Sequence, residues 1–572
     1  MSVSLALQFG AVPWALLQRV FVVLALLAGA ALVLRLDEGC LPARLRERFV
    51  LGVPWGTVVT VLGVLAVYLF LQGGYSHWYR PVVLPFRAWS YAEPLGMLVA
   101  GFAHAGPGHL LGNLFGALTL APIVEYAIGH YPATERPAHP EPSTRRERIA
   151  ALRYDPIARA FLLFPLAVAV VGVLLTLFTV GAVIGFSGVV FAFAGFALVR
   201  YPLGTVLALV GSDLLNLLYN ALQNPTLTAS GRSRFVTPWF ADIAIQGHAI
   251  GLLAGVVLGV LLLRHHPVDT PSPSRLFTGA LLLASAQSLW AVYWYRGGTE
   301  YVLYRAIGLG LVALAAALIV VAVAAPEHRP FGRLRDSDPA RSSDTRLVDL
   351  SVRQIGLAAI VIVAAVLSGP AVAVNLVSTQ GDLPGEPVTV QGYEVTYAEG
   401  VENELVSAIP VTLFGETTQV TTSGVIVSNS DRGIWQSVVP RGRLASNGRA
   451  TVVVGGIGWR ETVTAVRRGW TAVGGGTAYA VALEDGDERR TVFTSEPARA
   501  ESRIADQNVS VVAGNESFQL LVSEGNDTIR RPLPRANESV TVRNVTFHGG
   551  NGRVVAVHDG TRVTVLRVET YN

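Results

Sequence analysis

Three short stretches hold residues whose types and spacing could do chemistry. Gly185-Phe186-Ser187-Gly188 sets a hydroxyl between glycines at the head of an apolar run, Val189 to Val199. Gly247-His248-Ala249-Ile250-Gly251 sets an imidazole at the head of another. His104, His109 and Asn113 open a third, with His109 and Asn113 four apart and therefore on one helix face. Peptide hydrolysis needs a nucleophile, a base within hydrogen-bond reach and donors for the oxyanion. Ser187 can supply the hydroxyl, and His248 can accept its proton and return it to the leaving amine. His109, Asn113 and the Ser187 backbone N–H can supply the donors. Asp213 lies in a neighbouring apolar run and Asp242 six residues before His248, an awkward spacing for orienting it. The expectation is a Ser–His dyad. Singly, each residue has a plainer role: serine beside glycine packs helices, and histidines and asparagines sit at helix ends or bond between helices.

The elements that must position these residues are apolar. The 572-residue chain has 15% charged residues and a mean hydropathy of +0.46, as expected for a polytopic membrane protein with a soluble part. Ten spans are expected, at about 12–34, 52–72, 107–128, 160–180, 185–200, 203–222, 243–263, 276–295, 303–325 and 355–377. The N-terminus lacks the basic region of a signal peptide, so 12–34 is read as a span. Residues 73–103 mix aromatics, prolines and arginines and read as a loop in the membrane interface. The arginine-rich loops 35–48, 130–159, 264–275 and 326–354 fall on one side, which the positive-inside rule makes the cytoplasm; Arg232 and Arg234 are a minor exception. The stretches opening at His109, Ser187 and His248 then all run from outside to inside. Their polar groups lie at similar depth in one shallow, outward-facing cavity. Gly247, Gly251, Gly255 and Gly259 repeat every four residues, and Gly188 and Gly195 lie seven apart, giving two small faces whose contact would bring His248 beside Ser187.

Charge and cysteine exclude other classes. A net charge of +4, spread along the chain, gives no nucleic-acid surface. All 44 basic residues are arginine. The single cysteine, Cys40, rules out an internal disulfide and any cysteine-based metal cluster. No cofactor or metal is expected.

The same count of crossings puts residues 378–572 outside. Short Val- and Thr-rich runs alternate there with Gly, Asn and Asp turns, which predicts a β-sandwich or a pair of small β domains. Five Asn-x-Ser/Thr sequons begin at Asn508, Asn515, Asn526, Asn537 and Asn544 and fit an exterior, glycosylated surface. His548 and His558 are isolated, and nothing in this region points to chemistry.

The chain resembles the rhomboid intramembrane serine proteases. The family pattern is His-x4-His-x3-Asn, then Gly-x-Ser-Gly, then His-x2-Gly-x3-Gly. His104, His109 and Asn113, then Gly185 to Gly188, then His248, Gly251 and Gly255 match it in order and spacing. Glu125, twelve after Asn113, matches a further family glutamate. The resemblance covers about 52–263. It implies a six-helix catalytic core, Ser187 as nucleophile, His248 as base, and an oxyanion hole of His109, Asn113 and the Ser187 N–H. His104, Gly185, Gly188 and Gly251 support the site. It also implies a movable cap over the site at 223–242. The chain departs from the family in two places. Arg87 and Trp89 stand in reverse order and farther from the histidines than the family's Trp-Arg. Phe191 replaces a tyrosine stacked on the catalytic histidine.

The expected organisation is an extra transmembrane helix and cytoplasmic loop (1–51), a rhomboid-like core (52–263), three more spans (264–377) and an extracytoplasmic, sandwich-like all-β domain (378–572). The expected activity is cleavage of single-span membrane proteins within the cell-membrane bilayer. The alternatives are a non-proteolytic rhomboid-like protein that escorts membrane helices, and a membrane anchor or transporter presenting the β domain.

Overall fold

The computed structural model describes residues 13–36, 40–132, 144–227, 235–265, 270–326, 350–377, 383–413 and 415–571. Arg232, Arg234 and much of the expected cap lie outside the described residues. The apolar runs fold as helices because membrane-length runs of Leu, Val and Ala satisfy their backbone groups internally. They are α1 (Trp14–Leu36), α2 (Trp55–Leu71), α3 (Pro107–Ile128), α4 (Pro156–Leu177), α5 (Ser187–Arg200), α6 (Pro202–Gln223), α7 (Ile245–His265), α8 (Pro273–Ala286), α9 (Arg305–Ala324) and α10 (Val352–Leu376). Among the described residues seven, namely α1, α3, α4, α6, α7, α9 and α10, are long and apolar enough to cross a membrane. That is the pattern of a multi-pass membrane protein. Helices α2 and α5 are apolar but shorter. Helix α1 buries no residue; its end is tied to α6 by Arg19 Nη2 donating to the Gln223 carbonyl at 3.0 Å.

The expected span at 276–295 is corrected. Helix α8 stops at Ala286, and the chain turns into an antiparallel hairpin, β1 (Tyr293–Gly297) and β2 (Glu300–Leu303). The run from Trp290 to Tyr295 is apolar in composition but rich in aromatics that favour strands, and Gly297 and Gly298 take the positive φ values of the turn.

The C-terminal part is β-rich and antiparallel. Strand β4 (Trp459–Ala472) is its spine. Along its length it pairs with β3 (Arg449–Gly456) and β5 (Thr477–Asp485), and at Trp470 to Ala472 it pairs with β6 (Thr561–Val568). The resulting eight-stranded sheet curls into a half-barrel rather than lying as one face of a simple sandwich. Two four-stranded sheets accompany it. A proximal core gathers Tyr393, Val427, Val454 and Val481; a distal core gathers Val511, Phe547, Val554 and Leu566. All five sequons lie in the distal part, Asn515, Asn526, Asn537 and Asn544 exposed and Asn508 half-buried with its carboxamide held by Arg499.

The proximal core does not close on itself. Leu84 and Trp89, from the stretch 73–103, are buried within it. This stretch carries helical turns at Leu84–Phe86 and Pro94–Val99, and serves as the seat of the β region rather than as an interfacial loop alone. The hairpin makes the second junction. Arg296 pairs with Glu416 at 2.6 Å, and Trp294 Nε1 donates to the Thr417 carbonyl at 3.0 Å.

Candidate active site

Helix α5 begins at Ser187, so the hydroxyl stands at the end of a helix only 14 residues long. At 1.5 Å per residue such a helix spans about 21 Å, short of a bilayer's ~30 Å hydrocarbon core. His248 lies in the first turn of α7. Its Nε2 is 2.8 Å from Ser187 Oγ, and its ring stacks on Phe191 with centroids 4.4 Å apart and planes 16° from parallel. Phenylalanine thus supplies the stacking face, for which no ring hydroxyl is needed.

The glycines explain why the pair can meet. A Cβ on Gly251 would lie 2.3 Å from the Gly188 carbonyl oxygen, one on Gly255 2.0 Å from that of Ala192, and one on Gly195 2.0 Å from that of Leu252. Helices α5 and α7 therefore touch backbone to backbone, as small-residue faces allow. Gly185 has a φ of +128°, and a Cβ there would lie 2.6 Å from His109 Nε2 and 3.5 Å from Asn113 Nδ2. Only glycine lets this turn pass under the two α3 side chains.

His104 is fully buried, 5.1 Å from the His109 ring, edge to face. Its backbone is fixed by Gln72, a residue the sequence reading did not single out. Gln72 Oε1 accepts from the His104 N–H at 2.8 Å, while Nε2 donates to the carbonyls of His104 (2.8 Å) and Val82 (2.9 Å). The signal was a lone carboxamide closing the apolar run of α2. Gln246, one turn before His248's neighbours on α7, is similarly busy: it ties α7 to the Val180 N–H and to the Leu367 carbonyl of α10.

Several site valences stay open. His248 Nδ1, Asn113 Nδ2 and His104 Nδ1 are buried and have no hydrogen-bond partner. Among the described residues no carboxylate bonds His248 Nδ1, so the Ser187–His248 contact stands as a pair. Beside it lies a cavity of about 390 Å³ lined by His109, Asn113, Ser187, Phe191 and His248, and by residues of α6. The structure thus brings together every residue of the expected site, and the sequons alone lie apart from it. A serine oxygen held against an imidazole nitrogen, with a carboxamide and an imidazole facing the same space, can perform acyl transfer.

Comparison with protein-family models, curated proteins and solved structures finds no match for this chain.

Proposed function

We propose that the chain is an intramembrane serine endopeptidase of the rhomboid type, cleaving single-span membrane proteins. The observation that carries this reading is the 2.8 Å contact between Ser187 Oγ and His248 Nε2 at the starts of two apolar helices. In the first half-reaction the Ser187 hydroxyl proton passes to His248 Nε2 as Oγ attacks the substrate carbonyl. The tetrahedral oxyanion is met by Asn113, His109 and the Ser187 N–H. His248 then protonates the leaving amine, the C–N bond breaks, and an acyl ester on Ser187 remains. Water, deprotonated by His248, hydrolyses that ester and restores the hydroxyl. Phe191 holds the imidazole plane through this cycle. The arginine-rich loops on alternate connections support placing the β region outside the cell membrane, where its sequons would be accessible.

The test is cleavage of a model single-span substrate in liposomes by the wild type, Ser187→Ala and His248→Ala, with labelling of Ser187 by a fluorophosphonate. Cleavage and labelling that vanish in both variants while folding persists establish the dyad. Cleavage that survives Ser187→Ala overturns it and favours a protein that binds membrane helices without cutting them.

A further inference from the structure

Part of the cavity lining belongs to α6. Leu209, Ser212, Asp213 and Asn216 recur there at the i, i+3, i+4, i+7 spacing of one helix face. Asp213 and Asn216 are themselves exposed on this open wall, and the neighbouring positions Leu207, Val210, Leu214 and Leu217 are 57–69% exposed. Asp213 thus sits midway along a membrane-length apolar helix. Among the described residues it makes no hydrogen bond or ion pair, and no arginine lines the cavity. A second carboxylate, Asp242, stands on the cavity lining just before α7, within the field of Arg87. Asn113, which lines the same cavity, is 8% exposed with its Nδ2 unpartnered among the described residues. An ionisable group inside a membrane span is costly unless it faces a cavity and meets a partner. Here the cavity is present and, among the described residues, no cation lines it.

We propose that Asp213 is a specificity-determining residue that receives a cationic side chain, arginine or lysine, carried by the bound membrane segment close to the bond presented to Ser187. The carboxylate takes the guanidinium or ammonium, and the open carboxamide of Asn113 takes the segment's backbone carbonyl. One contact selects the segment and the other aligns it. Arginine is the better fit, because a planar fork meets a carboxylate in two parallel hydrogen bonds. Asp242, already facing Arg87, contributes less. The word substrate here rests on the protease reading; the cation site does not.

The test uses the full chain in nanodiscs with Ser187→Ala, and a fluorescent single-span peptide in which one arginine or one glutamine is walked along the outer half. Arginine at one or two adjacent positions is expected to tighten binding about tenfold over glutamine, the gain of a charge-assisted pair. Asp213→Asn should bring that ratio to about one, Asp213→Glu should retain it, and Asp242→Asn should keep most of it. Equal binding of both peptides at every position, or a preference untouched by Asp213→Asn, overturns the proposal. With the active serine restored, kcat/KM for the arginine peptide over the glutamine peptide should fall about tenfold in Asp213→Asn. Preferential binding without any cleavage would leave the cation site standing and remove the protease reading instead.

Discussion

Helix α3 carries a polar cluster at each end, and the two are opposites. At its C-terminal end Glu125 is buried and saturated. Its carboxylate accepts from the Gly56 N–H (2.7 Å), the Thr57 N–H (2.8 Å) and the Thr57 hydroxyl (2.7 Å), and meets His130 Nε2 at 2.6 Å. His130 in turn accepts the Val50 N–H at Nδ1. At the N-terminal end His104, Asn113 and the adjoining His248 each keep a buried polar atom with nothing bound to it. A closed cluster holds α2 against α3. The open one leaves these atoms unmatched among the described residues. Burial and residue type are alike at both ends; the difference is in the unspent hydrogen bonds, each of which costs free energy until a ligand meets it.

That contrast can be broken from either side. His248→Ala should reduce cleavage by about a thousandfold or more while leaving thermal stability within about 2 °C, as read by substrate cleavage and a melting curve in the same detergent. Glu125→Ala should do the reverse. It strands two backbone N–H groups, a hydroxyl and His130, and should cost about 3–5 kcal/mol in stability, seen as a lower denaturation midpoint. If Glu125→Ala leaves stability unchanged, the closed cluster is not structural. Asn113→Ala removes the proposed oxyanion donor and should lower kcat by about a hundredfold, with little effect on KM or on the melting curve.

A smaller effect separates the hairpin junction from both clusters. Hydrogen bonds from Arg296, then from Tyr304, hold the Glu416 carboxyl down to about 2. Its folded-state value is depressed, so its contribution is complete above the unfolded carboxylate range, near pH 4–5, and fades as pH falls toward about 2. Hydrogen exchange at residues 293–303 should be flat from pH 5 to 8 after correction for intrinsic rates, and should rise only in stronger acid. Arg296→Ala should remove that acid dependence.

The site was legible in the sequence because its parts are local. Ser187, His248 and His109 each open an apolar run, and the four-residue glycine repeat announces a close helix contact before any coordinate is known. The junctions were not legible, because their partners lie far off in sequence, 52 residues away for Tyr293 and 120 for Arg296. Leu84 and Trp89 look like interfacial residues until Tyr393 and Val454 are placed over them. Tyr293, whose hydroxyl donates to the Ala241 carbonyl at 3.0 Å, sits in a run that hydropathy alone reads as a span. Its aromatic content and the Gly297-Gly298 pair were the available warnings. In the tail, strand runs and turns were readable, but the curl was not, since it follows from one strand serving two neighbourhoods.

That strand has a consequence for modularity. Strand β4 is 14 residues long and is hydrogen-bonded into both halves of the β region without a break. At the usual rise it extends about 46 Å. A continuous strand offers no linker at which the halves could be parted, swapped or lost singly. The sequon-bearing half therefore travels with the half seated on Leu84 and Trp89, and gene fusion or deletion between them would leave each with a torn sheet edge.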